Sequence, residues 1–242
     1  TSHKSRYFNR NDTKMKELKP VLSMVIPVFN SEENLEPLCE KITQALEKLN
    51  FEIILVNDAS IDNSWAIIQN LSAKNKVVKG INLRKNSGQD NAIMAGLNEV
   101  QGEYIVIMDD DLQHSPFDIP KLHQKIIEGF DVVYARFKKK KHAMWKNMGS
   151  WLNGVMAEIL LNKPAHIYLS PFKIIRADVV KEILKYKGPY PYIDGLLFMV
   201  TSNFGQLENI DHYHRNAGKS NFNLTRSIKV FLKLATNFSV LP

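Results

Sequence analysis

The stretch EYIVIMDDDLQHSP, residues 103–116, decides how the chain is read. An apolar run, Tyr104–Met108, passes directly into Asp109, Asp110 and Asp111. A short apolar run of this kind reads as a strand buried on both faces, as in a parallel sheet. In open α/β sheets, ligands sit beyond the carboxyl ends of the strands. The triplet therefore falls where a ligand would be met. Asp109 and Asp111 are two apart, so an extended chain sends them to one side and Asp110 to the other. Carboxylates that share a side repel unless a cation lies between them. Mg²⁺ or Mn²⁺ suits such a site, because hard cations take oxygen ligands, often one or two carboxylates with substrate phosphates. Gln113 can add a carbonyl oxygen from the same turn. The competing reading is a solvated acidic turn, or carboxylates capping the helix that follows.

Upstream, the pattern repeats. LSMVIPVF (22–29), FEIILVND (51–58) and VVKGINL (77–83) read as strands. Between them, Leu35, Leu38, Ile42, Ala45 and Leu49 recur at helical spacing after Ser31, an N-cap candidate. Trp65, Ile68 and Leu71 mark a second helix with Asp62 as its cap, and GQDNAIMAGLNEV (88–100) a third. The order β-α-β-α-β-α-β predicts an α/β fold, a mostly parallel sheet with helices on both faces. Asp58 then ends the second strand on the same edge as the triplet. Downstream, a helix with Ser115 and Pro116 at its start leads to a fifth strand, 130–137. A basic then amphipathic helix follows, then a strand and helix in 171–187, a helix in 190–205 and a polar strand from 206.

The 242 residues are 44% hydrophobic and 24% charged, an ordinary globular composition. Cys39 is the only cysteine, which excludes an internal disulfide and suggests a reducing compartment. The net charge of +7 permits anionic partners without choosing among them. A basic nucleic-acid or membrane-binding module would leave Asp58 and the triplet unexplained, so nucleic acid is not expected as a partner. No run of about 18 apolar residues is present, so no bilayer-spanning helix is expected. Residues 1–20 are polar and are expected to form a loose arm. The chain stops at NFSVLP, inside an apolar amphipathic stretch, which suggests that the protein continues.

Four segments, VIPVFNSEENL, LVNDASIDNSW, LRKNSGQDNAIMAGL and IMDDDLQHSP, resemble in order and spacing the inverting family 2 glycosyltransferases of the GT-A fold. Within that family the chain is most similar to the branch of dolichyl-phosphate mannose synthase and polyprenyl-phosphate sugar transferases. HRNAGKSNFNLTRSIKVFLKLATNFSVLP is similar to the R-x-x-G-x-S segment that precedes a juxtamembrane helix in that branch. The resemblance implies a GT-A catalytic domain over 21–220 and a juxtamembrane-type helix over 221–242. It implies a nucleotide-sugar donor, UDP-linked by preference, and a polyprenyl phosphate or other lipid-linked acceptor. The place implied is the cytoplasmic face of the cell membrane, in a bacterium the inner membrane. Homo-oligomerisation is left open.

The resemblance also implies residue roles. Pro27 and Phe29 would form one side of the base pocket, and Asp58 would accept a hydrogen bond from base or ribose. Asn57 and Ala59 depart from the Asp and Gly common there. Lys85 and Asn86 would lie near the nucleotide, with Gly88 opening the next helix or serving as a plain turn. Asp109 and Asp111 match the outer members of the D-x-D motif, Asp111 holding the metal most directly with Asp109 and Gln113, and Asp109 and Asp110 would also contact the nucleotide-sugar. His114 would contact the diphosphate or cap a turn. Arg136, Lys146 and Ser150 would hold an acceptor phosphate. Arg215, Lys219 and Ser220 would close over the donor diphosphate, or form an ordinary basic loop. Lys138–Lys141 is either a solvated loop or a site for anionic headgroups. The segment YLSPFK (168–173) lacks the acidic residues of many relatives. A phosphate acceptor, with a second pKa near ~6, needs little deprotonation. A hydroxyl acceptor needs a base, for which Asp194 is the candidate; its other reading is a helix cap.

Overall fold

The computed structural model describes residues 19–137 and 167–210. The expected arm (up to residue 18), the basic helix with Lys146 and Ser150, and everything from residue 211 on lie outside the described residues.

Seven strands form one sheet in the order β3-β2-β1-β4-β6-β5-β7. They are β1 (Leu22–Val28), β2 (Phe51–Asn57), β3 (Val78–Asn82), β4 (Tyr104–Ile107), β5 (Val132–Phe137), β6 (Lys173–Arg176) and β7 (Phe204–Ile210). All run parallel except β6, which is antiparallel to both β4 and β5. The helices are α1 (Leu35–Ala45), α2 (Ser64–Lys74), α3 (Gln89–Leu97), α4 (Ile119–Ile126), α5 (Ala177–Ile183) and α6 (Ile193–Val200), with a 3-10 turn at Pro116–Asp118. This is the α/β GT-A-type architecture that the sequence predicts.

β1 and β2 are buried at every position, which is why they read as apolar runs rather than alternating patterns. Their side chains divide between two cores. Met24, Ile26, Ile53 and Leu55 pack with α1 and α4 residues on one face. Val25, Ile54 and Val56 pack with Ile93 and Leu97 of α3 on the other. α6, otherwise apolar, buries Ile193, Leu196 and Leu197 in that second core.

Two local expectations are corrected. Ser31 does not cap α1, which starts at Leu35. The Ser31 amide instead donates to Ser64 Oγ at 3.0 Å, tying the loop after β1 to the start of α2. Asp62 stands one residue before the α2 cap. Its carboxylate accepts from the Ser64 amide at 3.0 Å and from the Glu32 amide at 3.1 Å, so it caps and cross-links at once.

Candidate active site

The parallel strands β1, β2 and β4 deliver three loops to one edge. In-register pairing sets Val28 beside Asn57, so the loops that follow are neighbours. Side chains then stitch them. Asn30 N–H donates to Ser60 Oγ at 3.0 Å, and Ile61 N–H to Asn30 Oδ1 at 2.9 Å. Asn57 donates from Nδ2 to Asn82 Oδ1 at 2.7 Å, extending the tie to β3. Ala59 sits at φ 55°, a left-handed conformation that glycine adopts more readily, which accounts physically for the glycine common there.

A cleft of about 280 Å³ opens above this edge. Pro27, Phe29, Asp58, Asp109, Asp110 and Asp111 line it, six of the residues singled out from the sequence. Phe29 is 49% exposed and lines the cleft, so it is not packed in the core. Lys85 is exposed and outside the lining; Asn86 from the same loop lines it instead.

Asp58 is buried at 4% exposure, and its carboxylate holds its own protein first. Oδ1 accepts from the Ser87 amide at 2.6 Å and Oδ2 from the Gly88 amide at 2.9 Å. A carboxylate has about four acceptor sites, so two remain for a ligand. Gly88, at φ 88°, is the residue before α3, as the sequence suggests.

The triplet departs from the alternation expected of an extended chain. β4 ends at Ile107 and the chain bends at Asp110, with Leu112 at φ 59°. Asp110 Oδ2 accepts from the Phe29 amide at 3.3 Å, so all three carboxylates border one cleft instead of splitting between two sides. Burial pushes the Asp109 carboxyl up to about 7, with the charges of Asp111 and Asp110 adding to it. Burial also pushes Asp110 up to about 6, against the Ser31 and Phe29 hydrogen bonds that favour its charge. Gln113 is not on the cleft. Its backbone amide donates to Asp111 Oδ1 at 3.0 Å, closing a tight turn. His114 is buried with its ring stacked between Phe137 and Phe172, at 5.1 and 5.4 Å between centroids, which is a packing role.

The donor set fits a hard divalent cation: it is all oxygen, anionic and short of positive charge. Among the described residues, no three of His, Cys, Asp and Glu form a ready-made metal cage. Asp109 and Asp111 can thus supply part of a coordination shell, and substrate oxygens or water the rest.

Asp194 is not a helix cap. It lies in the first turn of α6, whose cap position is Tyr192, and Oδ1 accepts from Tyr134 Oη at 2.9 Å and from Lys173 Nζ. Lys173 is buried, at 4% exposure, with Nζ 5.1 Å from the centre of the Tyr134 ring. Burial and the Asp194 charge hold the Tyr134 phenol well above its usual range, so it remains a donor. Lys173 stands opposite Ile107 in the β4–β6 pairing, two residues from Asp109, and its charge reaches Asp109. The sequence reading missed Lys173. The signal available was a lysine directly before the apolar pair Ile174–Ile175 in the strand KIIR.

Arg136 is the next-to-last residue of β5 and lies outside the cleft lining. It donates to Glu208 Oε1 of β7 at 3.1 Å, both side chains being partly exposed. Lys146, Ser150, Arg215, Lys219 and Ser220 lie outside the described residues.

The sequence profile of Glycosyl transferase family 2 matches residues 23–184, most of the chain. The chain belongs to glycosyl transferase family 2. It is a glycosyltransferase, and its fold recurs among solved members of that chemistry. S. aureus TarS 1-349 superposes with a TM-score of 0.58 at 19% identity, over 91% of this chain and 66% of that one. The TarS fragment has also been solved with UDP-GlcNAc. Glucosyl-3-phosphoglycerate synthase from Mycobacterium tuberculosis superposes with a TM-score of 0.64 at 16% identity, over 90% of this chain and 80% of that one. The same synthase has been solved with Mn²⁺ and UDP-glucose. The family 2 chain described here therefore spans about two thirds of the TarS fragment and four fifths of the synthase.

Proposed function

We propose that the protein transfers a sugar, with inversion, from a UDP-sugar to a polyprenyl phosphate at the cytoplasmic face of the membrane, with Mn²⁺ or Mg²⁺ bound. The observation that carries the donor half is the single cleft that gathers Phe29, Asp58 and Asp109–Asp111 beyond the strand ends. The structural neighbours solved with UDP-sugars support a uridine base.

Phe29 offers a stacking face to the base, and Asp58 keeps acceptor capacity for base or ribose. Asp109 and Asp111 would hold the cation, with Gln113 fixing the Asp111 turn through its backbone. A divalent cation bound there would neutralise the leaving diphosphate. A phosphate oxygen of the acceptor attacks the anomeric carbon while the bond from that carbon to the diphosphate oxygen breaks, releasing UDP. Arg136, with Lys146 and Ser150, would hold the acceptor phosphate, Arg136 exchanging Glu208 for it. Arg215, Lys219 and Ser220 would close on the donor diphosphate. The basic run Lys138–Lys141 and the net charge of +7 support a membrane surface as partner. Among the described residues no helix is long and apolar enough to cross a membrane.

A second reading has a hydroxyl of a cell-envelope or lipid-linked glycan as acceptor, with Asp194 as base. Its basis is Asp194, which lies outside the cleft lining and accepts from Tyr134 and Lys173 through Oδ1, so that Lys173 would have to release it before it took a proton.

Calorimetric titration with UDP and with GDP, each with and without Mn²⁺, on wild type and Asp111→Ala tests the donor site. Binding of UDP that Mn²⁺ tightens is expected, with the tightening lost in the variant. Binding of neither nucleotide would sink the proposal. Wild-type transfer assayed with a polyprenyl phosphate and with a hydroxyl-bearing glycan separates the two acceptors; Asp194→Asn, with its melting temperature recorded, should leave the first unchanged and abolish the second.

A further inference from the structure

Gln89 took no part in the reading of the sequence, yet its side chain makes the one hydrogen bond recorded at Asp109 among the described residues. Gln89 Nε2 donates to Asp109 Oδ1 at 2.7 Å. Both residues line the cleft. Gln89 is the first residue of α3, and its place is set from the other end of the cleft. Asp58 grips the amides of Ser87 and Gly88, the two residues immediately before it. Asn91 Nδ2 donates to Ser87 O at 2.9 Å, and the Ala92 amide donates to Gly88 O at 3.1 Å, locking the same turn to the helix. Gly88 supplies the φ of 88° that lets the loop enter α3, and a Cβ there would meet nothing within 4 Å. Its constraint is conformational and not spatial.

We infer that Gln89 is a positioning residue for Asp109, and that the amino end of α3 is a strut through which Asp58, at the nucleoside end of the cleft, sets the carboxylate at the diphosphate end. The inference rests on the proposed donor site. Its chemical content is the choice of a neutral donor. An amide fixes one oxygen of Asp109 without cancelling its charge, so the second oxygen stays available to a cation. A lysine or arginine at position 89 would satisfy the same oxygen and compete with that cation. A carboxylate would repel Asp109 and leave it unoriented.

The test measures two affinities on the full chain: UDP without metal, by calorimetry, and Mn²⁺ in the presence of saturating UDP, by the electron paramagnetic resonance signal of unbound Mn²⁺. The variants are Gln89→Ala, Gln89→Lys, Gln89→Glu and Gly88→Ala, with melting temperatures recorded for each. Gln89→Ala is expected to weaken Mn²⁺ at least fivefold, to leave metal-free UDP within twofold and to leave the melting temperature within about 1 °C. Gln89→Lys and Gln89→Glu are expected to weaken Mn²⁺ further. Gly88→Ala, which displaces the strut, is expected to weaken both affinities. Mn²⁺ affinity within twofold of wild type in Gln89→Ala overturns the inference. So does an equal loss of metal-free UDP affinity with a lowered melting temperature, which marks a merely structural contact. Wild type that binds neither UDP nor Mn²⁺ overturns the donor site itself, and the inference with it, an outcome distinguishable because no variant is needed to see it.

Discussion

The two ends of β2 each carry a buried carboxylate, and they are treated in opposite ways. At the amino end, Glu52 accepts from Ser23 Oγ at 2.6 Å and the Gln101 amide at 2.7 Å through Oε1, and from Lys79 Nζ at 2.7 Å through Oε2. Its charge is answered within the chain. At the carboxyl end, Asp58 is held by neutral amides and faces three more carboxylates across the cleft. Among the described residues, the cation whose charge reaches Asp109 is Lys173, and it is committed to Asp194. Acidity at one edge is part of the fold. At the other it is left for something that binds.

Variants should separate the two edges. Glu52→Ala removes the acceptor of the buried Ser23 hydroxyl and of the part-buried Gln101 amide, and releases Lys79 to solvent. Its expected cost is about 1–3 kcal/mol, most of it from the donors left unpaired, seen as a lower denaturation midpoint with nucleotide affinity unchanged. A loss of nucleotide affinity at full stability would break the contrast. Lys173→Met leaves Asp194 without its cation and is expected to cost about 2–3 kcal/mol. Lys173→Met with Asp194→Leu should recover most of that, because removing both members of a buried pair is often near neutral. Equal instability of single and double variants would show that the pair is not the unit.

Asp109 sharpens the comparison through pH. Its carboxyl stands at about 7 in the folded chain against about 4 unfolded, so the folded state binds the extra proton between those values. Stability without metal therefore falls as pH rises from about 4 through 7. Asp109→Asn should remove that fall and stabilise the metal-free protein by about 1–2 kcal/mol at pH 8, discounted for partial exposure, and by little at pH 4. Thermal melts at the two pH values check it; a pH-independent difference would contradict the assigned cause. The smallest effect is Ala59→Gly. Relief of a left-handed alanine at about 1–2 kcal/mol, less the added freedom of glycine when unfolded, leaves a gain of under about 1 kcal/mol. Chemical denaturation would read it, and a loss of stability would show that the methyl group packs.

The cleft was legible because three parallel strands, β1 and β2 buried throughout and β4 at all but Tyr104, announce themselves as apolar runs, and the residues at their ends are then placed by topology alone. Pro27, Phe29, Asp58 and the triplet followed from that. What the sequence withheld was set by geometry that periodicity does not encode. The bend at Asp110 turns a side chain that alternation sends the other way. The Lys173–Asp194 pair joins positions 21 apart through an antiparallel strand inserted between β4 and β5. Gln89 is an ordinary helix-start residue until Asp58 fixes the turn before it. Lys85 and Asn86 share a loop, and only its path decides which one meets the cleft.

The reversed direction of β6 has a further consequence. The chain leaves the sheet at the end of β5 and re-enters it at Lys173, which is paired with Tyr134 of the strand it left. Exit and return are neighbours on the rim above the donor carboxylates. The last residues of that connection belong to the scaffold, Ile167 and Phe172 being buried in the two cores, but no strand register fixes the length of chain before them. On the proposed function, the strands that carry the donor carboxylates keep their pairing whatever the length of the segment that joins β5 to β6.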